Sequence, residues 1–328
     1  MKISTTPSLS ASQIAQIAAI WNTEFPVTLQ DKFYALLNSA SAWQHFLVEE
    51  DAQVLAWGGI FTQKADTRFS LLVAARAQGK GLGKQLIAQM RQHAGELEGW
   101  VVDQHDALKL DGSRYTSPLP FYQKLGFEVL PHQRFDTEEL RSVRVRLSAQ
   151  VFAETERFYL REVLPSDEAG FWELDADPEV HRYLGNKPVT DRAQIREVIG
   201  FIRQQYVQHG IGRWAVVDKQ SGEFVGWSGL KFVTEPLNGH QNFYDLGYRI
   251  QRKHWRQGIG KETASAALAY GFEQLKLEEI FAAAACDNVA SNRILRSLGF
   301  QPSGIFWYDD LKCHWYSQKR SDFKLPGA

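Results

Sequence analysis

The chain has 328 residues, 44% hydrophobic and 23% charged, the composition of a folded protein long enough for two domains that each bury a core. Its 37 lysines and arginines nearly cancel its 38 aspartates and glutamates, and the formal charge of -1 argues against a protein built to bind nucleic acid or an anionic membrane. No apolar stretch follows the opening MKISTTPSLSAS in the manner of a signal peptide and no later run approaches a membrane span, so a cytoplasmic place is expected; the cysteines, Cys286 and Cys313, stand in no metal-ligand spacing and read as buried fillers, with no metal site.

In chain order, helical runs are predicted near 11–22 and 29–39, followed by strands at WQHFLVE, VLAWGGIF and RFSLLVA. A glycine-rich turn, QGKGLGKQ over residues 78–85, then leads into KQLIAQMRQHA, whose apolar residues recur at helical spacing. EGWVVDQ reads as a buried strand, a short helix runs into the triplet ending at Phe127, and SVRVRLS alternates like a strand. AQVFAET, residues 149–155, reads as a short linker. Beyond it come RFYLREV, a helix opened by Pro165, Ser166 and Asp167, and the strands RWAVVD, FVGWSGLKFV and FYDLGYRI. A second glycine-rich turn, WRQGIGKE over 255–262, precedes a helix from about 260 to 275 and the strand EIFAAAA.

The two turns, and the two Leu-Gly-Phe triplets ending at Phe127 and Phe300, recur about 175 residues apart, far beyond the period of a solenoid repeat. Two like domains follow, over 1–149 and 155–328. Strands interleaved with helices give an α/β (α+β) class, each domain a mixed, mostly antiparallel sheet flanked by helices.

The turns are not P-loops: Gln78 and Trp255 stand where the first glycine belongs, and Gln85 and Glu262 where Ser or Thr belongs. A dinucleotide GxGxxG fails at Lys84 and Thr263. What remains is a strand, a GxG and a helix start, where glycines admit a close ligand and free amides with the helix dipole favour an anion.

These motifs identify both halves as resembling the GNAT superfamily of acetyl-CoA-dependent N-acetyltransferases. Gln78-Gly79-Lys80-Gly81-Leu82-Gly83 matches its Gln/Arg-x-x-Gly-x-Gly/Ala signature, and Trp255-x-x-Gly258-x-Gly260 with Glu262 resembles the branch that acetylates ribosomal-protein N-termini, as does Asn288-x-x-Ser291 ahead of Leu298-Gly299-Phe300. The resemblance implies a co-substrate, acetyl-CoA, whose pyrophosphate is held by Gln78 to Lys84 in one half and by Arg256, Gln257, Gly258, Ile259, Gly260 and Lys261 in the other. Leu72 and Val73, and Ile250, would offer strand backbone to the pantetheine arm. It also implies a proton donor at Tyr122, in Tyr122-x-x-x-Gly126-Phe127; in the second half Leu295 stands in that place, and Ser291 is the replacement, with Asn288 binding the pantetheine or the acetyl region. Asn288 and Ser291 also read as ordinary helix caps, and Tyr122 as a packing residue.

Direct acyl transfer needs a neutral amine, oxyanion stabilisation and a proton for the thiolate, and no covalent enzyme intermediate. Asp245, Asp103 and His105 are the candidate bases. Trp307, Tyr308, Trp315 and Tyr316 resemble a strand pair near the family's acceptor cleft but read equally as core. The implied function is N-acetyl transfer to a primary amine: a small amine, an amino acid or a protein N-terminus. Two alternatives stay open: one half as a non-catalytic acyl-CoA-binding or regulatory module, or both as a scaffold whose glycine turns bind nothing.

Overall fold

A computed structural model describes residues 2–64, 66–104, 106–138 and 140–324. The chain forms two units, one ending at Ser148 and the other beginning at Ala149.

In the first unit the order is β1 (Ile3–Thr6), α1 (Ala11–Glu24), α2 (Lys32–Ser39), β2 (Ser41–Glu50), β3 (Gln53–Gln63), β4 (Asp66–Val73), α3 (Leu82–Ala94), β5 (Leu97–Val102), α4 (Leu119–Lys124), β6 (Glu128–Asp136) and β7 (Arg141–Leu147). Ser10 starts α1 with a reciprocal cap to Gln13, and Ile17, Ala18 and Trp21 bury one stripe of it. Strands β1 to β4 form one antiparallel sheet and β5, β7 and β6 another. Both faces of the larger sheet are covered. Phe46 and Val48 face a core with Leu86 and Met90 of α3, while Leu47 and Trp57 face a core with Trp21 and Phe33.

That second core carries a pH-sensitive contact. Buried His45 stacks on Trp43 at 5.0 Å and its Nδ1 accepts a 3.2 Å hydrogen bond from Trp57 Nε1, so the ring must be neutral. Burial pushes the imidazole down to about 4. The folded value lies below the unfolded one of ~6.5, so the contribution is complete above pH ~6.5 and is lost as pH falls towards 4, by up to roughly 2–3 kcal/mol. Melting followed by tryptophan fluorescence should drop between pH 7.5 and 5, and His45→Phe should remove much of that drop; an unchanged pH dependence in the variant would refute the assignment.

The second unit runs β8 (Val151–Glu154), β9 (Phe158–Arg161), α5 (Glu168–Asp175), α6 (Pro178–His181), α7 (Arg192–His209), β10 (Trp214–Asp218), β11 (Phe224–Val233), β12 (Phe243–Ile250), α8 (Ile259–Ala269), β13 (Glu279–Ala285), α9 (Val289–Ser297), β14 (Gln301–Tyr308) and β15 (Leu311–Lys319). Its sheet has the order β14-β15-β13-β12-β11-β10-β9-β8, antiparallel among the described residues except where β12 meets β13. The sheet is therefore mixed, as expected. Helix α8 packs on one face with Leu230, Leu246 and Ile280, and α5 and α7 on the other with Ala215 and Val217.

Three local expectations are corrected. The stretch expected as a linker contains β8, which pairs antiparallel with β9, because Phe152 is buried and stacks on Trp214 at 4.9 Å. Helix α7 was not anticipated, although Asp191 caps it reciprocally with Gln194 and Gly210 ends it at a φ of 69°. Cys313 is buried, whereas Cys286 is half-buried.

Candidate active site

Each glycine turn leaves the end of a strand and starts a helix. In the first unit the chain leaves Val73, makes a tight turn over Ala75–Ala77 and enters α3 with Gly79 at φ 74° and Gly81 at φ 77°. A side chain added at either would meet nothing within 4 Å, so backbone twist, not crowding, demands glycine there, and the space over the turn is open. The second glycine of the pair answers a different need. A Cβ on Gly83 would sit 3.0 Å from the Phe121 ring, and one on Gly260 3.4 Å from Ile294 and 3.5 Å from Tyr248, so glycine lets the helix start approach its neighbours.

The first helical bond runs from Gln85 N to Gly81 O at 3.1 Å in one unit and from Glu262 N to Gly258 O at 3.0 Å in the other. No side chain caps either helix. The amides of 79–84 and 256–261 donate to no protein group among the described residues, so each turn presents several donors at the positive end of a helix. This arrangement fits a pyrophosphate.

The departure of the second turn at its first position has a physical explanation. Gln78 Nε2 donates to the carbonyl of Val73 at 3.2 Å, and Trp255 Nε1 donates to the corresponding carbonyl of Ile250 at 2.7 Å. Amide and indole tie the turn back to the last strand residue alike. Gln78 also donates to Glu24 Oε2 at 3.0 Å, and Ala75 N to Glu24 Oε1 at 3.1 Å. Arg256 occupies the place of Gly79 with a φ of 62°, a left-handed conformation that costs an arginine about 1 kcal/mol.

The strands that lead into the turns have a free edge. β12 pairs with β11 along its length but with β13 only at Asp245–Phe281, so the parallel pair opens towards Ile250. β4 pairs with β3 through Leu72 and Val73, while β5 belongs to a separate sheet. Leu72 is buried and Val73 half-buried; what these residues and Ile250 can offer a ligand is backbone at the carboxyl ends of the strands, the place where open α/β sheets bind ligands.

Each unit has a tyrosine near these elements, and in the second a Cβ on Gly260 would lie 3.5 Å from the Tyr248 ring. Tyr122 of α4 is buried edge-on to Phe69 and Phe127, with centroids at 5.7 and 5.2 Å. Burial, and then Tyr115 nearby, push its phenol up, so it holds its proton throughout the neutral range. Leu295, which stands in its place in the second unit, is buried in the core and carries no proton. The neighbouring strand carries a hydroxyl. Tyr248 of β12 places its OH 3.0 Å from Ser291 Oγ and 3.2 Å from the Ser291 carbonyl, and burial pushes this phenol up more than the Ser291 bond lowers it. Tyr248 was missed in the sequence. The signal available was the alternation in FYDLGYRI, which sends Leu246, Tyr248 and Ile250 to one face.

Asn288 caps α9, its Oδ1 accepting from Ser291 N at 3.1 Å, so the cap reading of that pair holds structurally. The buried Asn292 binds the carbonyls of Ala285 and Asn288, both at 2.8 Å, and accepts from Tyr316 at 2.7 Å, fixing α9 to β13.

The candidate bases are engaged. Asp103 is held in a fork by Arg134 at 2.9 and 3.0 Å, on the wall of an open cleft of about 650 Å³. Asp245 pairs with the buried Arg213. His105 lies outside the described residues. Of the four aromatics on the last strand pair, Trp315 and Tyr316 are core and Trp307 and Tyr308 are exposed. No cluster of potential metal ligands occurs among the described residues.

Two family models, each described as an acetyltransferase (GNAT) domain, match residues 157–301 and 41–129. The uncharacterized N-acetyltransferase p20 of Bacillus licheniformis is 31% identical over 151 residues, which cover 46% of this chain and 83% of that protein. The FsC-acetyl coenzyme A-N(2)-transacetylase of Aspergillus fumigatus is 33% identical over 130 residues, 38% of this chain and 54% of that protein. Among solved structures, the apo form of RimL, the ribosomal L7/L12 alpha-N-protein acetyltransferase, matches at a TM-score of 0.45 and 17% identity, covering 53% of this chain and 96% of that one.

Proposed function

The chain belongs to the GNAT acetyltransferase family and carries its domain twice, and from that premise we propose that each unit transfers the acetyl group of acetyl-CoA, the family's co-substrate, to the nitrogen of a primary amine. The observation that carries this reading is that each unit has an open helix start with free amides and a protonated phenol on a neighbouring element. Acetyl-CoA supplies a thioester at which a neutral amine forms a C–N bond as the C–S bond breaks.

The residues divide the remaining work. The amides of 79–84 and 256–261 bind pyrophosphate, and the free edges at Leu72–Val73 and Ile250 align the pantetheine arm. Tyr122 holds a proton for the leaving thiolate in the first unit. In the second, Tyr248 does so, and Ser291 and its cap Asn288 orient that hydroxyl. Asp103 and Asp245 are tied to arginines, and because only the neutral amine attacks, the rate should rise with pH towards the amine's own pKa. The acceptor is a small amine, an amino acid or a peptide N-terminus, in line with the N-acetyl transfer that the FsC enzyme's name states, and the place of action is the cytoplasm. No helix among the described residues is long and apolar enough to cross a membrane.

The test is a panel of amino acids, polyamines and peptides incubated with acetyl-CoA, read by mass spectrometry for an acetylated amine and by thiol release. At least one primary amine should be acetylated. A folded chain that binds acetyl-CoA yet acetylates no amine would refute amine transfer.

A further inference from the structure

The turn of the second unit contains an electrostatic contradiction. Glu262 lies one helical turn beyond Gly258, a rise of about 6 Å along the helix, so a carboxylate stands in the first turn of a helix start meant for pyrophosphate. A first-turn acid suits a bare helix start but opposes an anionic ligand there. In the first unit the corresponding helix position is the neutral Gln85, and the acid nearest its turn, Glu24, is paired with Lys109 at 2.9 Å.

Arg157, in the turn before β9, resolves it. Its Nε and an Nη atom donate to Glu262 Oε2 at 2.8 and 2.5 Å, and that Nη donates also to the carbonyl of Gln257 at 3.0 Å. One guanidinium therefore grips the helix turn and the loop peptide just before Gly258. Its own place is fixed by Thr155, whose Oγ1 accepts from Arg157 N at 3.3 Å, and by Lys219 N, which donates to its carbonyl at 2.9 Å. Burial alone would push the Glu262 carboxyl up, yet the Arg157 hydrogen bonds and charge hold it below its ordinary range, so it is ionised and needs a counter-charge.

We propose that Arg157 is a positioning residue of the second cofactor loop: it cancels the Glu262 charge and locks the Gln257 peptide so that the turn accepts the pyrophosphate of coenzyme A. The pair acts as a charge-compensated clasp on the first helical turn, where the first unit has no acid to compensate. This rests on the reading of the second turn as the pyrophosphate site, and the experiment separates the two.

Hydrogen exchange of peptides spanning 256–264 in the full chain, titrated with coenzyme A, reports binding at this loop without interference from the first. Arg157→Gln should raise the half-saturating concentration by between about threefold and a hundredfold, the range for one like charge about 6 Å away between fully solvated and near-surface screening. The deficit should shrink as salt is raised, because the carboxylate is partly exposed. Arg157→Gln with Glu262→Gln should recover much of the lost affinity, although both members of the pair are then gone. Arg157→Lys should sit between wild type and Arg157→Gln. A double variant as weak as the single, or a single variant as tight as wild type, would overturn the proposal. Absence of any coenzyme A-dependent protection in the wild-type peptide would instead overturn the reading of the loop itself, leaving the charge argument without a ligand.

Discussion

Tyr122→Phe should lower kcat on the first unit's acceptor by about 10²- to 10³-fold, the usual yield of a positioned proton donor, while acetyl-CoA affinity stays within about twofold. The ring keeps its edge contacts with Phe69 and Phe127, so the fold should hold. In the second unit the same substitution belongs at Tyr248, not at the aligned Leu295. Tyr248→Phe should cost a comparable factor on that unit's acceptor, and Ser291→Ala only a few-fold, because the serine orients the phenol through a 3.0 Å contact. Steady-state rates for the single variants and the Tyr122→Phe/Tyr248→Phe pair, each checked by melting, decide the matter. A silent Tyr248→Phe beside a dead Ser291→Ala would make the serine the donor; silence of all three would remove the hydroxyls from the mechanism.

Valine at Gly81 or Gly258 should abolish acetyl-CoA binding in the affected unit, with a loss of more than about 100-fold, because the new side chain projects into the open space over the free amides. Each glycine has a left-handed φ, so valine also costs about 1–2 kcal/mol of stability, and strain could mimic a binding defect. Gly210 supplies the control. It ends α7 at φ 69° with surroundings as open as those of Gly81, and Gly210→Val should cost similar stability but leave affinity unchanged. Equal losses of affinity in all three variants would mean that strain, not ligand exclusion, is at work.

What the sequence revealed was mostly local. A GxG between strand and helix can be read from consecutive residues, because positive φ and free first-turn amides are properties of a short stretch. The class and the duplication followed from two such landmarks repeated in order. Contacts between distant residues were not legible. Tyr248 and Ser291 come from a strand and a helix 43 positions apart, and nothing in Leu295 points to the hydroxyl that another element carries. The pairing of Asp245, a candidate base, with Arg213 packed across Gly247 is such a contact, and so is the reach of the Trp255 indole to the carbonyl that corresponds to the one Gln78 binds in the first unit. Helix α7 and strand β8 were local and still missed, although Asp191 with Gln194 and the apolar Phe152 were in view.

The central claim is that both turns hold acetyl-CoA, and titration calorimetry of the whole chain with acetyl-CoA, read for stoichiometry, tests it most directly. Two sites per chain is the result expected, with Gly81→Val and Gly258→Val each removing one. A single site would contradict the claim, and the glycine variant that abolishes it would identify the unit that still binds.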